Sequence, residues 1–286
     1  TVKLFNTESV LFRTEDDGSI KNVRKDKRSF FNSYYGLVYF ALGLALLYYV
    51  GGYLQGRDMF RGLIQTQLLV ILLPVLIVLR LLKLKAKDIL RIKVPRLGEM
   101  LLIPLIAIPA TIIVSMLGQL INHFFPFPQH YLEQLEGLFK LDSSIYMMLF
   151  AIAVMPAICE EVLFRGFMIR FYESYGARNA ILISALLFGI FHLDPFRLLP
   201  TFLLGIMLGY LTLRSGSIVP AMFSHFINNG FALFIVTYAN SAWIKPFIKN
   251  SDSLQVWLIA PALIIFAAAL YAYHKYTAPK EITCVE

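Results

Sequence analysis

Charge is what this chain has least of. Only 15% of its 286 residues are Asp, Glu, Lys or Arg, whereas 58% are hydrophobic. Water-soluble domains carry about 25% charged and about 45–50% apolar residues, so a soluble globular fold is excluded. Cysteine is almost absent. Cys159 and Cys284 stand far apart without metal-type spacing, which excludes a disulfide framework and a cysteine zinc site. No His-Glu-x-x-His motif and no obvious Ser-His-Asp triad occur, and no internal repeat points to a solenoid. The first 30 residues are charged and have no apolar core, so they do not read as a secretory signal peptide.

Long apolar runs are abundant. Eight spans are expected, at 34–54, 63–82, 99–122, 144–173, 179–193, 196–213, 217–238 and 255–275. The fold class is therefore all-α, a polytopic membrane helix bundle. The net charge of +8 comes from basic residues placed beside the apolar runs. That placement predicts contacts with membrane lipid and control of topology, and it argues against nucleic acid as a partner. Lys3, Arg13, Lys21, Arg24, Lys25, Lys27 and Arg28 crowd the N-terminal tail, and Arg80, Lys83, Lys85, Lys87, Arg91, Lys93 and Arg96 the second connection. Residues 123–142 are acidic on balance, with Glu133, Glu136 and Asp142 against Lys140. The positive-inside rule then puts both termini in the cytoplasm of a multi-pass plasma-membrane protein, with 83–96 as a basic stretch on the inner leaflet or a stop-transfer block.

The fourth span carries Glu160-Glu161-Val162-Leu163-Phe164-Arg165 in the middle of an apolar run. Charges there cost about 2.5–3.5 kcal/mol each on insertion scales, so retained charges mark a functional site. Glu161 and Arg165 stand in the favourable i,i+4 order for an ion pair. Glu160 is rotated about 100° from Glu161, which leaves it free to face a cavity. His192 and His225 lie in two further apolar segments, His192 four residues after Phe188 and His225 four before Asn229. From the expected helix ends, Glu160, His192, His225 and Asn229 lie about 22, 21, 12 and 18 Å into the membrane, close to one layer.

That layer suits water activation. A desolvated carboxyl is a strong base once ionised and an acid able to return the proton. Glu160 and His192 would share a nucleophilic water, and His225 and Asn229 would donate to a developing oxyanion. Glu161, Arg165 and Phe188 read as supporting residues. Each has a plainer reading: Glu160 as a second partner of Arg165, a lone histidine as hydrogen-bonded core, Asn229 as interhelical glue. Asn228, three residues from His225, would sit off the line through His225 and Asn229. Cys159 has no base on its own face to activate it. Asp194-Pro195 reads as a turn, and Gly205 and Gly209 as a site of close helix contact.

The pattern resembles the CPBP family of CAAX-prenyl endopeptidases and bacteriocin-processing or self-immunity (Abi) proteins. Its Glu-Glu-x-x-x-Arg matches Glu160 to Arg165, its Phe-x-x-x-His matches Phe188 to His192, and its His-x-x-x-Asn matches His225 to Asn229. The resemblance implies an intramembrane glutamic-type protease with an eight-helix core and a cavity reached from the cytoplasmic side. It implies Glu160 and His192 on the water, His225 and Asn229 on the oxyanion, and Glu161 and Arg165 in support. The stretch from Lys3 to Arg13 resembles the end of ABC-2 type permeases, which some bacterial proteins fuse to this protease domain. Residues 1–33 would then be a cytoplasmic tail or linker, 34–139 the N-terminal membrane helices, 140–240 the protease core, and 241–286 the last helix and tail.

The expected function is metal-independent hydrolysis of a peptide bond in a membrane-associated peptide or lipidated protein, with no cofactor and with ABC transporter subunits as candidate partners. Two other classes remain open at this stage. One is a transporter or immunity-type binding protein that uses the same polar layer without cleavage. The other is a metalloprotease with zinc on Glu160, His192 and His225.

Overall fold

The computed structural model describes residues 30–139, 144–250 and 253–277. The permease-like stretch of the N-terminal tail and Cys284 lie outside the described residues. Among the described residues, seven helices are long and apolar enough to cross a membrane: α1 (Ser33–Arg57), α2 (Met59–Leu81), α3 (Leu97–Phe124), α5 (Ile145–Tyr175), α7 (Leu198–Ser215), α8 (Val219–Thr237) and α9 (Val256–Tyr276). The expected fifth span is α6 (Ala177–Phe191), an apolar helix too short to reach both faces. The chain is thus an integral membrane helix bundle. Two elements add to the expectation. A polar helix, α4 (Gln129–Phe139), occupies the connection between α3 and α5. A two-stranded antiparallel ribbon, Ile248–Asn250 with Ser253–Leu254, lies between α8 and α9.

Local chemistry sets the helix ends. The Asn32 side chain accepts the Tyr35 amide to start α1. Asp58 alone separates α1 from α2, and its carboxylate accepts the Arg61 amide at 2.8 Å. This hairpin is tight enough that a Cβ at Gly62 would meet the backbone of Gln55 at 2.5 Å. Gly176 turns α5 into α6 with a φ of +86°, a conformation open to glycine at little cost. The close packing expected at Gly205 and Gly209 is present. A Cβ on Gly205 would approach Ala185 of α6 at 2.9 Å, and one on Gly209 would approach Ile181 at 3.2 Å.

Below its midpoint α5 widens into a π turn over Val162–Phe167 and then tightens into a 3-10 turn over Met168–Tyr175. From Val162 to Glu173 every residue is buried, with Phe164, Phe167, Met168, Ile169 and Phe171 at the centre of one core. Phe30, Phe31 and Tyr39 close the aromatic stack around Phe167 and Phe171. The end of the bundle that carries residue 30 and residue 277 is therefore solid.

At that end the connection 83–96 departs from its sequence reading. Arg91 is not a headgroup contact. Its guanidinium is buried and pairs with Glu173, which also holds Arg170 at 3.2 Å. Arg170 in turn donates to the carbonyls of Ile89 (2.8 Å) and Asp88 (2.5 Å), and the Arg91 carbonyl accepts the Ile218 amide. Counting charge in the sequence cannot tell a solvated arginine from one paired across more than eighty residues.

Candidate active site

The two adjacent glutamates have different surroundings. Glu161 has no exposure at all, and its Oε1 accepts from Arg165 at 2.8 Å and from the His225 Nδ1 at 2.8 Å. Arg165, equally buried, donates to the Gly205 carbonyl at 3.3 Å. Its guanidinium lies 4.2 Å from the ring centre of Phe188. The ion pair expected from the i,i+4 spacing is present, and it faces the packed interior.

Glu160 faces a cavity of about 320 Å³ instead. His192, His225, Asn228, Asn229 and Phe188 line the same cavity, together with Gln67, Arg197 and Thr201. Five helices, α2, α5, α6, α7 and α8, thus contribute to one hollow. Gln67 donates to Glu160 Oε1 at 2.8 Å, and Glu160 Oε2 lies 4.0 Å from His225 Nε2 with no hydrogen-bond partner of its own.

The hydrogen bonds fix the histidine tautomers. Carboxylate and carbonyl oxygens only accept, so the nitrogen facing each must carry the proton. In His192 the Nδ1 lies 2.8 Å from the Phe188 carbonyl, which leaves the Nε2 lone pair for the cavity. In His225 the Nδ1–H goes to Glu161, which leaves Nε2 towards Glu160. A neutral His225 is therefore an acceptor on its cavity side. Donation to an oxyanion requires the doubly protonated ring. Phe188 stands edge-on to both rings, with centroids at 4.8 Å from His192 and 5.9 Å from His225, and keeps them apart.

Asn229 donates one N–H to the Ile152 carbonyl at 3.0 Å, and its amide oxygen accepts from Asn228. Thr111 of α3 donates to Asn228 at 2.9 Å. Asn228 does not sit off the line of the site as its spacing implied. Positions three and four residues along a helix share one face, so both asparagines border the cavity. Cys159 is packed in the core and is not among the lining residues. Among the described residues no group of three or more His, Cys, Asp or Glu side chains is arranged to hold a metal ion.

One end of the cavity is built by an unusual turn. Leu193 adopts a φ of +53°, a conformation that costs a non-glycine residue about 1–2 kcal/mol. Asp194 holds it by accepting the amides of Phe196 (3.0 Å) and Arg197 (3.2 Å) on one oxygen. Its other oxygen accepts the Tyr131 hydroxyl of α4 at 2.8 Å, while Phe127 and Tyr131 pack on Phe196. Burial, and then the Asp194 carboxylate, raise the Tyr131 phenol above its ordinary pKa, so it stays a donor at neutral pH. From Glu160 and His225 the lining runs towards Leu63, Ile152, Arg197 and Ala232, all on the side where α1 meets α2 and α8 meets α9. The cavity lies in the half of the bundle away from its solid end. The resemblance implies access from the cytoplasmic side; were both termini cytoplasmic, these lining residues would lie in the opposite half of the bundle.

Residues 142–231 match the family model of the type II CAAX prenyl endopeptidase, Rce1-like. The chain carries an Rce1-like domain. No curated protein and no solved structure matches the chain. At the level of the family, this match supports a CAAX-type intramembrane protease, a peptide hydrolase. The matched segment holds Glu160, Glu161, Arg165, Phe188, His192, His225 and Asn229, whereas Gln67 and Thr111 lie before it. Sequence reading passed over Gln67, although Gln65-Thr66-Gln67 interrupts an apolar run with three polar residues.

Proposed function

We propose that this protein hydrolyses a peptide bond of a membrane-associated substrate by means of a water activated on Glu160. The observation that carries the reading is the division of labour between the two glutamates. Glu161 is consumed by Arg165 and His225, while Glu160 presents an unpartnered oxygen to a cavity shared with both histidines.

A water held between Glu160 and the His192 Nε2 would attack the substrate carbonyl and give its proton to Glu160. Protonated His225 and the remaining N–H of Asn229 would donate to the oxyanion. Collapse breaks the C–N bond, and Glu160 returns the proton to the departing amine. The products are a new carboxylate and a new amine, with no covalent intermediate.

The substrate reaches this site at membrane depth. A second cavity of about 730 Å³, lined mainly by apolar residues of α3, α6, α7 and α9, shares Leu204 and Met207 with the first. A lipid chain on the substrate would fit there, which favours lipidated peptides among the candidates. With cytoplasmic termini, the cavity opens towards the outer face.

The test is cleavage of a library of membrane-anchored peptides by purified protein, read by mass spectrometry. Products formed by wild type, retained in chelator and lost in Glu160→Gln support the reading, with a fall of roughly 10²- to 10⁴-fold expected for loss of a general base. Products lost on chelation would replace it with a metalloenzyme. A wild type that binds peptides without cleaving any would replace it with a binding or transport protein.

A further inference from the structure

Gln67 belongs to α2, well before the matched protease segment, yet its amide lies in the centre of the site. It is 8% exposed, and its Nε2 donates to Glu160 Oε1 at 2.8 Å. Its own Oε1 is buried without a partner. The backbone that presents it is distorted: α2 widens into a π turn over Thr66–Leu72, beginning one residue before Gln67. Such turns recur at functional sites. The next polar residue, Thr66, is occupied elsewhere, accepting from the Gln55 side chain at 3.2 Å.

We propose that Gln67 is a positioning residue for Glu160. This rests on the reading of Glu160 as the water-activating group. A carboxyl on a helix turns freely about its last bond unless an oxygen is held. The Gln67 N–H holds Oε1, so Oε2 is the oxygen left towards His225 Nε2, 4.0 Å away. The unpartnered Gln67 Oε1 is an acceptor for the hydrogen of a water that Glu160 does not take. The working site is thus larger than the Rce1-like segment and is completed by a helix outside it.

The experiment compares wild type, Gln67→Leu and Gln67→Met on the peptide that wild type cleaves fastest. Loss of a hydrogen bond to a charged group lowers kcat roughly 10- to 100-fold. KM stays within about threefold, since Gln67 acts through Glu160 and not on the substrate. A second readout needs no cleavage: labelling of Glu160 by dicyclohexylcarbodiimide, followed by mass spectrometry. With Oε1 released, labelling is faster by severalfold in both variants.

Unchanged kcat and labelling in a folded variant would overturn the proposal, and so would a raised KM at constant kcat. If Gln67→Leu does not fold, Gln67→Met, closer in shape, decides. If wild type cleaves no peptide, the protease reading fails, while labelling still decides whether Gln67 holds Glu160.

Discussion

The two halves of α5 lie in one helix but do opposite things. Below Glu161 every residue from Val162 to Glu173 is buried among aromatic rings and arginine-carboxylate pairs. At and above Glu160 the same helix borders a hollow, with Ala151, Ile152 and Pro156 among its lining. The difference lies in what each charge meets. Glu161 and Glu173 each hold two basic partners, so their role is cohesion. Glu160 meets an amide and an open space. A buried ion pair is weak evidence of function, because charge in a packed core is matched for structural reasons. A carboxylate oxygen left unmatched at the edge of a cavity is better evidence.

The contrast can be broken from the packed side first. Glu173→Leu strands Arg91 and Arg170, and removal of one partner from a buried pair costs about 3–5 kcal/mol. Stability in detergent, read by thermal unfolding, is expected to fall by that amount, while the protein that stays folded retains wild-type kcat. A selective loss of kcat without loss of stability would show that the two halves are not separate.

A second experiment sharpens which end is open. Arg197→Cys is expected to react with a membrane-impermeant maleimide from the non-cytoplasmic side, above the wild-type background. Lys87→Cys, exposed on the far end, should react only after permeabilisation. The reverse pattern would turn the bundle over and restore cytoplasmic access.

The smallest expected effect is at the cavity mouth. Tyr131→Phe removes the hydroxyl that α4 gives to Asp194, worth about 1 kcal/mol. Hydrogen exchange should rise in 129–139 and at the turn 193–197, with little change in the rest of the bundle. Uniform protection would mean that the Phe127, Tyr131 and Phe196 rings hold the mouth by themselves.

Much of this was legible from the chain. The apolar runs located all eight hydrophobic helices because a bilayer leaves the backbone few alternatives to the helix. The angle between neighbouring positions on a helix separated Glu160 from Glu161. What escaped depends on contacts between distant segments. Gln67 and Thr111 reach the site from α2 and α3, and nothing local marks their partners. Arg91 looks like any basic loop residue until Glu173 is placed beside it. The α4 helix lacks the apolar run that flags a span, and its anchor is an aromatic contact with Phe196. The solid end follows from where the aromatic rings stack, which composition does not record.

The measurement that tests the account most directly sets the two neighbours side by side. Glu160→Gln and Glu161→Gln are purified in parallel, and each is scored for cleavage and for thermal stability. Glu160→Gln is expected to keep the wild-type melting temperature and lose cleavage. Glu161→Gln is expected to melt earlier, because Arg165 and His225 lose their shared partner. A Glu160→Gln protein that still cleaves at the wild-type rate would contradict the assignment of the water to Glu160.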